Sequence, residues 1–303
     1  RKASAASEQA GQNPDPQRPT VRPPDDPMRI AIIGTGIAGM VAAYLLAPEH
    51  DLVIFEANDY IGGHTNTLDV TVKGRTYPVD TGFIVFNEAT YPNFVSLLAR
   101  LGVTWQPTNM SFSVQNGATG LEFGFRTLRS LFAQPQNLYR PSFLRLLGDI
   151  WRFRRESSEL ARDENYQISL GEYLAAKGYS QAFAHQFLLP LGAALWSANQ
   201  LDLQNIPARF FADFFQRHRF LNLSDKIKWQ VIEGGSRSYV EPLTRSYRHR
   251  VRLNSPVAWI RRHPDGVEVK PVRGEAERFP RVVIATHSDQ ALGLLKDPSE
   301  AER

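Results

Sequence analysis

Two apolar runs, 29–33 and 51–55, flank a glycine-rich turn and a segment of small apolar residues that continues to Ala47. Short apolar runs bounded by turn residues predict buried strands, and the longer segment between them predicts a helix. The stretch 30–47 carries no charge, but the glycine turn divides it, so it does not predict a membrane span. We therefore expect a buried strand–turn–helix–strand unit.

The pattern beyond this unit predicts a mostly helical insertion, followed by a return to strands. The elements expected first are a helix opened by 90–92 and stopped by Gly102, paired strands 110–114 and 121–125, and helices over 126–218 with a capping box at 169–172. The elements expected after Gly234 are a helix over 239–247, strands 251–253, 257–260, 267–270 and 282–285, and a helix from Ser288.

This order predicts a discontinuous α/β domain. Its two pieces are 28–86 and 234–303, and the insertion between them, 87–233, is expected to form a helical substrate or cap domain. The leader 1–27 is polar and rich in Pro, Ser and Gln, which predicts a disordered tail without the apolar region of a secretory signal.

The glycine turn has the spacing of a dinucleotide fingerprint. Gly34 would permit the tight turn, Gly36 would let the backbone approach a diphosphate, and Gly39 would let helix and strand pack closely. The first helical residues, Ile37 and Ala38, would present free N–H groups to the phosphates. The alternative is a glycine turn in an ordinary βαβ unit with no ligand.

An acid closes the second strand at the position where it can accept hydrogen bonds from an adenosine ribose. This residue, Glu56, argues against a 2′-phosphate and hence against NADP, but it does not separate NAD from FAD. Gly62 and Gly63 follow soon after, and an extended FAD needs such a close approach of the backbone, whereas a simple nicotinamide dehydrogenase does not. A flexible turn is the alternative for this glycine pair.

Several short sequence motifs resemble those of a known superfamily. The run 28–82 resembles the FAD-binding half of the flavin amine oxidase and phytoene desaturase superfamily. Six phrases, 62–67, 78–87, 110–114, 131–134, 234–237 and 287–292, resemble predicted NAD/FAD-binding oxidoreductases associated with cyclopropane fatty-acyl-phospholipid synthases.

The resemblance implies a Rossmann-like FAD-binding domain of the glutathione-reductase type. The residues that it implies at the cofactor, beyond the fingerprint, are Ala57, His64, Thr65, Asp80, Thr81, Gly82, Phe83, Val257 and Ala285. Many superfamily members carry arginine where this chain has His64, which could donate to a phosphate or flavin edge or simply cap the loop. A hairpin exit is the alternative for 80–83. The superfamily's C-terminal glycine-rich segment has no match here, so we expect part of the fold to be missing.

Composition excludes some chemistry. The chain of 303 residues has no cysteine, which excludes disulfides, iron–sulfur ligation and a cysteine nucleophile. Its seven histidines never fall at helical i, i+3 or i+4 spacing, which argues against a di-iron histidine site, and we expect no metal.

A segment mixes arginines with aromatic and aliphatic residues. Within 121–162 the arginines that alternate with these residues are Arg126, Arg129, Arg140, Arg145, Arg152, Arg154 and Arg155, and Arg162 ends the segment. With a pI near 9.3 this could be a face for anionic lipid headgroups, but the net charge is only +4 and a solvated helix surface is the alternative. No motif accompanies the charge, so nucleic acid is not expected.

These features together predict an FAD-dependent oxidoreductase that dehydrogenates or desaturates an apolar, fatty-acyl substrate. The alternatives are a flavin amine oxidase acting on a soluble amine and a non-catalytic nucleotide-binding partner of a lipid methyltransferase. A cyclopropane fatty-acid synthase partner follows from the resemblance, and a cytoplasmic location with peripheral contact at the inner membrane surface is expected. No catalytic residue stands out; Trp196 with Ser197 could line a cavity or simply be core, and His287 could serve acid–base work or cap the last helix.

Overall fold

The computed structural model describes residues 26–125, 127–162, 168–196, 198–217 and 228–303. All but the last two residues of the expected tail, together with Arg126, Ser197 and His218, lie outside these ranges. The strands are β1 Arg29–Ile33, β2 Asp51–Phe55, β3 Thr67–Val72, β4 Arg75–Asp80, β5 Trp105–Thr108, β6 Ser113–Asn116, β7 Leu121–Gly124, β8 Trp229–Ile232, β9 Val251–Arg252, β10 Val257–His263, β11 Gly266–Pro271, β12 Glu277–Phe279 and β13 Arg281–Ile284. The helices are α1 Ile37–Leu46, α2 Pro92–Leu101, α3 Leu128–Leu131, α4 Pro141–Leu160, α5 Leu170–Ala176, α6 Gln181–Phe183, α7 Leu189–Trp196, α8 Gln200–Asn205, α9 Ala208–Arg217, α10 Val240–Thr244 and α11 Ser288–Leu294.

The described chain divides into two compact units. One comprises the described residues up to His64 together with Val240–Arg303, and the other is Thr65–Tyr239. The domain limits predicted from the sequence, 28–86 with 234–303 and 87–233, describe functional domains and stay a prediction.

The first unit is built on a parallel four-stranded sheet in the order β13-β1-β2-β9. Residues Ile30 to Ile33 of the central strand are all buried, as expected for a strand covered on both faces. On one face Ile30, Ile32, Leu52 and Ile54 pack against Ala43 of α1 and against Tyr247. The sheet therefore has a helical layer on this side.

The opposite face of the same sheet is covered by an antiparallel three-stranded sheet, β10-β11-β12. Its contact with the parallel sheet is apolar and consists of Ala31, Ile33, Val53, Phe55, Ile260, Val269 and Phe279. A β-hairpin layer on one face and a helix on the other give this unit three layers.

The second unit contains hairpins and a helical core rich in phenylalanine. Strands β3 and β4 form one hairpin, β6 and β7 another, and β5 pairs antiparallel with the distant β8. Helices α4 to α9 and strand β7 share one core, whose largest fully buried side chains are Phe123, Phe143, Phe153, Phe183, Phe211 and Phe215. The stretch Ala184–Leu188 that joins α6 to α7 is a π-helix.

Several local predictions are confirmed and others need correction. The capping box at Ser169 and Glu172 is present, and α2 ends at Gly102 in the left-handed region with φ 66°. The strand expected at 110–114 lies at Ser113–Asn116 instead, because its register follows pairing with β7. The helix expected over 239–247 is only Val240–Thr244, preceded by a 3₁₀ turn at Ser236–Tyr239 and followed by another at Arg248–Arg250.

Candidate functional site

The glycine turn between β1 and α1 is fixed by close packing at two of its three glycines. Gly34 has φ 97°, and a Cβ there would lie 2.9 Å from the carbonyl oxygen of Ala285. A Cβ on Gly39 would lie 2.0 Å from the carbonyl oxygen of Gly34 and 3.3 Å from the Cβ of Ala285. These two positions exclude any side chain. Ala285 packs against the turn, and its expected place beside the dinucleotide stays a prediction.

Gly36 differs from its neighbours because the space beside it is open. A Cβ there would meet no atom within 4 Å, and its backbone is extended with φ −60°. Gly36 is the N-cap of α1 and no side chain caps the helix. The following Ile37 and Ala38 are exposed, so the first N–H groups of the helix face open space. Because Gly36 has no side chain, an open cradle remains beside its backbone. This is the geometry that a bound diphosphate requires.

Glu56 is buried and already hydrogen-bonded to the turn. Its Oε2 accepts from the backbone N–H of Thr35 at 2.9 Å and from the Thr35 hydroxyl, and its Oε1 accepts from the N–H of Asn58 at 2.8 Å. Thr35 Oγ1 in turn lies 3.3 Å from the N–H of Gly62. The carboxylate therefore holds the two glycine turns together, and its spare lone pairs are what remains for a ribose.

The Gly62-Gly63 pair lies against the first turn. Both have positive φ, 140° and 58°, and a Cβ on Gly63 would be 3.0 Å from the Cα of Gly36. Ala57 and His64 are exposed beside this turn. The pair thus makes a close backbone approach to Gly36, which a merely flexible turn would not need.

Two histidines meet at this end of the first unit. The rings of His64 and His287 lie 5.1 Å apart between centroids, tilted by 32°, and both residues are exposed. His287 is the N-cap residue of α11, and its backbone N–H donates to Gln290. His287 therefore occupies the N-cap position of α11, where the Gln290 side chain accepts from its backbone, and its imidazole lies beside that of His64.

Val257 lies at the start of β10, half-buried against the apolar layer between the sheets. Two residues earlier, the N–H of Ser255 donates to the Glu56 carbonyl at 2.8 Å. The corner that leads into β10 is therefore attached to the end of β2, close in sequence to Val257. Its expected contact with adenine stays a prediction.

The remaining candidates belong to the second unit. Asp80 Oδ1 accepts from the Thr67 hydroxyl at 2.6 Å and from both the N–H and the hydroxyl of Ser236, at 2.9 and 2.8 Å. Thr81 and Gly82 are exposed, while Phe83 packs edge-on against Tyr91 and Phe94. Thr65 is buried and its hydroxyl contacts that of Tyr239, whose burial raises its pKa. Asp80 thus joins the end of β4 to β3 and to Ser236, and the expected place of its loop at the flavin stays a prediction.

The segment 234–237, which Asp80 binds through Ser236, is also attached to the β3–β4 hairpin by an ion pair. Arg237 donates to both oxygens of Asp69, at 2.8 and 2.7 Å, and this bidentate bond lowers the pKa of the carboxyl. Gly235 has φ 87° and lies so close to Thr67 that a Cβ would be 2.5 Å from its methyl group. The segment 234–237 therefore has a structural role: it packs on, and hydrogen-bonds to, β3 and β4.

Replacing Asp80 by alanine should destabilise the second unit. The change leaves the Ser236 N–H and the Thr67 hydroxyl without their acceptor, and a lost hydrogen bond to a charged group costs about 1.5–3 kcal/mol. We expect a loss of about 3 kcal/mol in the free energy of unfolding, measured by urea titration. Asp69→Ala is the control: it removes only the exposed ion pair with Arg237, and should cost about 1 kcal/mol or less. Equal losses for the two variants would contradict this role for Asp80.

Trp196 lies in an aromatic cluster. Its ring contacts those of Phe210, Phe211 and Phe214 in tilted or edge-on geometry, at centroid distances of 5.8, 5.3 and 4.6 Å, which supports the core interpretation. Among the described residues no group of three His, Cys, Asp or Glu side chains could hold a metal ion. No helix within the described ranges is long and apolar enough to cross a membrane.

Two features of the site were missed by sequence reasoning. Thr35 occupies a variable position of the fingerprint, yet its backbone N–H and its hydroxyl both donate to Glu56. The only sequence signal for this contact is a hydroxyl residue between the first two glycines. Ser236 was noted only as part of a resembling phrase, although its backbone and hydroxyl both bind Asp80.

Comparison with known proteins adds a family match and similar folds. The family model for flavin containing amine oxidoreductase matches residues 37–302. AofH of Mycobacterium tuberculosis, named as a flavin-containing monoamine oxidase, is 24% identical over 288 residues, covering 89% of this chain and 59% of AofH. Zeta-carotene desaturase of Synechocystis is 26% identical over 243 residues, covering 73% of this chain and 47% of the desaturase.

The fold is similar to that of cyclohexylamine oxidase from Brevibacterium oxydans. The TM-score is 0.68 at 19% identity, over 91% of this chain and 61% of the oxidase. The chain therefore spans less than two thirds of the length of each of these three proteins.

Proposed function

The chain belongs to the family of flavin-containing amine oxidoreductases, and from this premise we propose that it is an FAD-dependent oxidoreductase. The single observation that carries the proposal is the open cradle at Gly36, bordered by Gly63 and by the free N-terminus of α1. A diphosphate fits there because the backbone can approach it with no side chain between. The three-layered first unit supports an FAD-binding domain of the glutathione-reductase type.

The chain's own residues have distinct tasks in holding FAD. The N–H groups of Ile37 and Ala38 would donate to the diphosphate, and the spare acceptor capacity of Glu56 would serve the ribose. Thr35 keeps that carboxylate in place. Asp80 would hold the 80–83 loop at the flavin, with Gly82 allowing a close approach and Phe83 forming an apolar wall.

When bound, FAD supplies an acceptor for a hydride from a substrate C–H bond. The protein's part is to bind the substrate, orient that bond and exclude water. We propose an apolar, fatty-acyl substrate that is dehydrogenated or desaturated. The likeness to zeta-carotene desaturase supports an apolar substrate, and the phrases shared with oxidoreductases beside cyclopropane fatty-acyl-phospholipid synthases support a fatty-acyl one and such a synthase as partner.

The second candidate function is oxidation of a soluble amine. It is favoured by the likeness to AofH, which spans 89% of this chain, and by the fold of cyclohexylamine oxidase. Both candidates need the same cofactor site, so they differ only in what is oxidised.

The test begins with the purified protein and added FAD. We expect a bound flavin spectrum, followed by anaerobic loss of the visible flavin band on addition of a detergent-dispersed acyl phospholipid and no hydrogen peroxide from amines such as cyclohexylamine in air. Peroxide release with amines and no reduction by acyl lipids would favour the second candidate. Absence of flavin binding would end the proposal for this chain.

His64 offers a test of the cofactor contact that leaves the fold untouched. The residue is exposed, so His64→Ala and His64→Arg should both keep the unfolding temperature of the parent. We expect His64→Arg to tighten FAD binding about tenfold, since a guanidinium forms charge-assisted bonds to phosphate, and His64→Ala to weaken it. Flavin fluorescence titration measures both dissociation constants. Identical constants for all three proteins would place His64 away from the cofactor.

A further inference from the structure

A second surface of interest lies on the helical part of the second unit, over α3, the 3₁₀ turn Pro135–Leu138 and α4. Its large side chains are unusually exposed: Leu128 by 78%, Leu138 by 48%, Tyr139 by 84%, Leu144 by 47% and Trp151 by 57%. Phe132, just after α3, packs on Phe143 of α4 with ring centroids 6.1 Å apart. The 3₁₀ turn also packs on α4. We call this surface the α4 face.

Helix α4 has one side buried in the helical core and one side exposed. Phe143, Leu146, Phe153 and Leu160 are buried in the helical core. Leu144, Gly148, Trp151 and Arg155 follow each other at steps of four, three and four residues, which places them together on the opposite side. An outer helix surface normally carries polar residues, so a leucine and a tryptophan there need an explanation.

The α4 face is positively charged, and few acidic residues of this part of the chain balance its arginines. Arg129 and Arg145 are exposed, and the guanidinium of Arg155 lies 5.0 Å from the ring centre of Trp151. From Phe123 to Gly148 the chain has no Asp or Glu.

The acids of α4 itself are mostly engaged elsewhere. Asp149 is buried and accepts from the Ser180 N–H at 2.9 Å. Glu156 accepts from the hydroxyls of Tyr173 and Tyr179, at 3.0 and 2.9 Å. Only Glu159, near the helix end, adds an exposed carboxylate to α4. Within the described ranges no carboxylate pairs with Arg129, Arg145 or Arg155, so these arginines are available for an external anion.

We propose that the α4 face docks on the surface of an anionic lipid bilayer. Tyrosine and tryptophan rings are stable at headgroup level, aliphatic side chains enter the acyl boundary, and arginines bind lipid phosphates. Helix α4, about 30 Å long by its residue count, would lie in the plane of the membrane. Phosphate chains of a nucleic acid would match the arginines but would leave Leu128, Leu144 and Trp151 without a partner, so a bilayer fits more of the surface.

The test is sedimentation of the protein with vesicles of phosphatidylcholine alone or mixed with phosphatidylglycerol. We expect pelleting with the anionic vesicles, none with the neutral ones, and release as salt is raised. The charge variant Arg145→Glu with Arg155→Glu should weaken binding at least tenfold, and the apolar variant Leu144→Ser with Trp151→Ser should do the same.

Matched controls separate a specific face from general charge or stickiness. Arg248→Glu with Arg273→Glu changes the net charge equally, on exposed residues of the first unit, and should leave binding within twofold. Leu201→Ser removes a leucine that is 69% exposed on α8 and should likewise have little effect. Thermal melts confirm that all variants are folded.

Three outcomes would overturn the proposal. They are no pelleting of the parent with anionic vesicles, an equal loss of binding in the Arg248 and Arg273 control, and salt-sensitive binding to an RNA homopolymer or to polyglutamate without any binding to vesicles. None of these depends on FAD, so they leave the proposed oxidoreductase function untouched.

Discussion

Replacement of Gly36 by valine should abolish FAD binding while lowering the stability of the FAD-free protein by no more than about 1 kcal/mol, the cost of a poorer N-cap. The backbone at Gly36 has φ −60° and ψ 176°, which any residue adopts, and a Cβ meets no protein atom within 4 Å. The side chain would instead fill the space where the diphosphate must approach the N–H groups of Ile37 and Ala38. Loss of two charge-assisted hydrogen bonds amounts to about 3 kcal/mol or more, so we expect at least a 100-fold weaker dissociation constant.

The measurement pairs flavin fluorescence titration with thermal unfolding in the absence of FAD. Gly36→Ala should fall between the parent and the valine variant, because its smaller side chain obstructs the cradle less. An unchanged dissociation constant in Gly36→Val would show that the diphosphate does not lie over this residue, and the cofactor proposal would lose the observation that carries it.

Replacement of Gly39 by alanine should have the opposite signature, a large loss of stability. In a helix this change ordinarily gains about 1 kcal/mol. Here the new Cβ would lie 2.0 Å from the carbonyl oxygen of Gly34, a backbone atom that cannot move away without opening the turn. We expect a net loss of about 3 kcal/mol or more in the free energy of unfolding, the upper end of what overpacking causes.

Gly293→Ala is the matched control for Gly39→Ala. Gly293 lies in α11 of the same unit, and a Cβ there meets no atom within 4 Å, so the change should stabilise by up to about 1 kcal/mol. Denaturant unfolding of both variants gives the comparison. A Gly39→Ala protein as stable as the parent would mean that the β1–α1 turn is looser than its packing indicates.

The fingerprint region could be predicted because its requirements are local. Gly34 needs a positive φ, Gly39 needs a missing side chain, and Glu56 ends a strand, so each constraint is visible in the residue itself. The capping box at Ser169 and the stop of α2 at Gly102 were predictable for the same reason.

The parts that escaped prediction depend on partners far away in the chain. The hydrogen bonds that Asp80 accepts from Ser236 join residues 156 positions apart, and the ion pair of Arg237 with Asp69 spans 168 positions. The register of β6 is different, because its determinants are local: Asn116 Oδ1 accepts from the N–H groups of Ala118 and Thr119 in the turn that joins β6 to β7, and the strand lies at Ser113–Asn116 and not at the expected 110–114. The π-helix Ala184–Leu188 was not predicted, because no hydrophobic pattern in its sequence distinguishes it from the α-helices on either side.

The order of strands in the parallel sheet has a consequence for how the protein is made. Strand β1 leaves the ribosome shortly before β2 and can pair with it at once, but its other neighbour is β13, where Ile30 pairs with Arg281. At typical translation speeds of about 5–20 residues per second, roughly 10–50 s pass before that neighbour exists. Throughout this interval the outer edge of β1, which is apolar from Ile30 to Ile33, has no strand partner, while Thr65–Tyr239 emerges. Holding chaperones that cover this edge until β13 has been made should therefore raise the yield of intact protein.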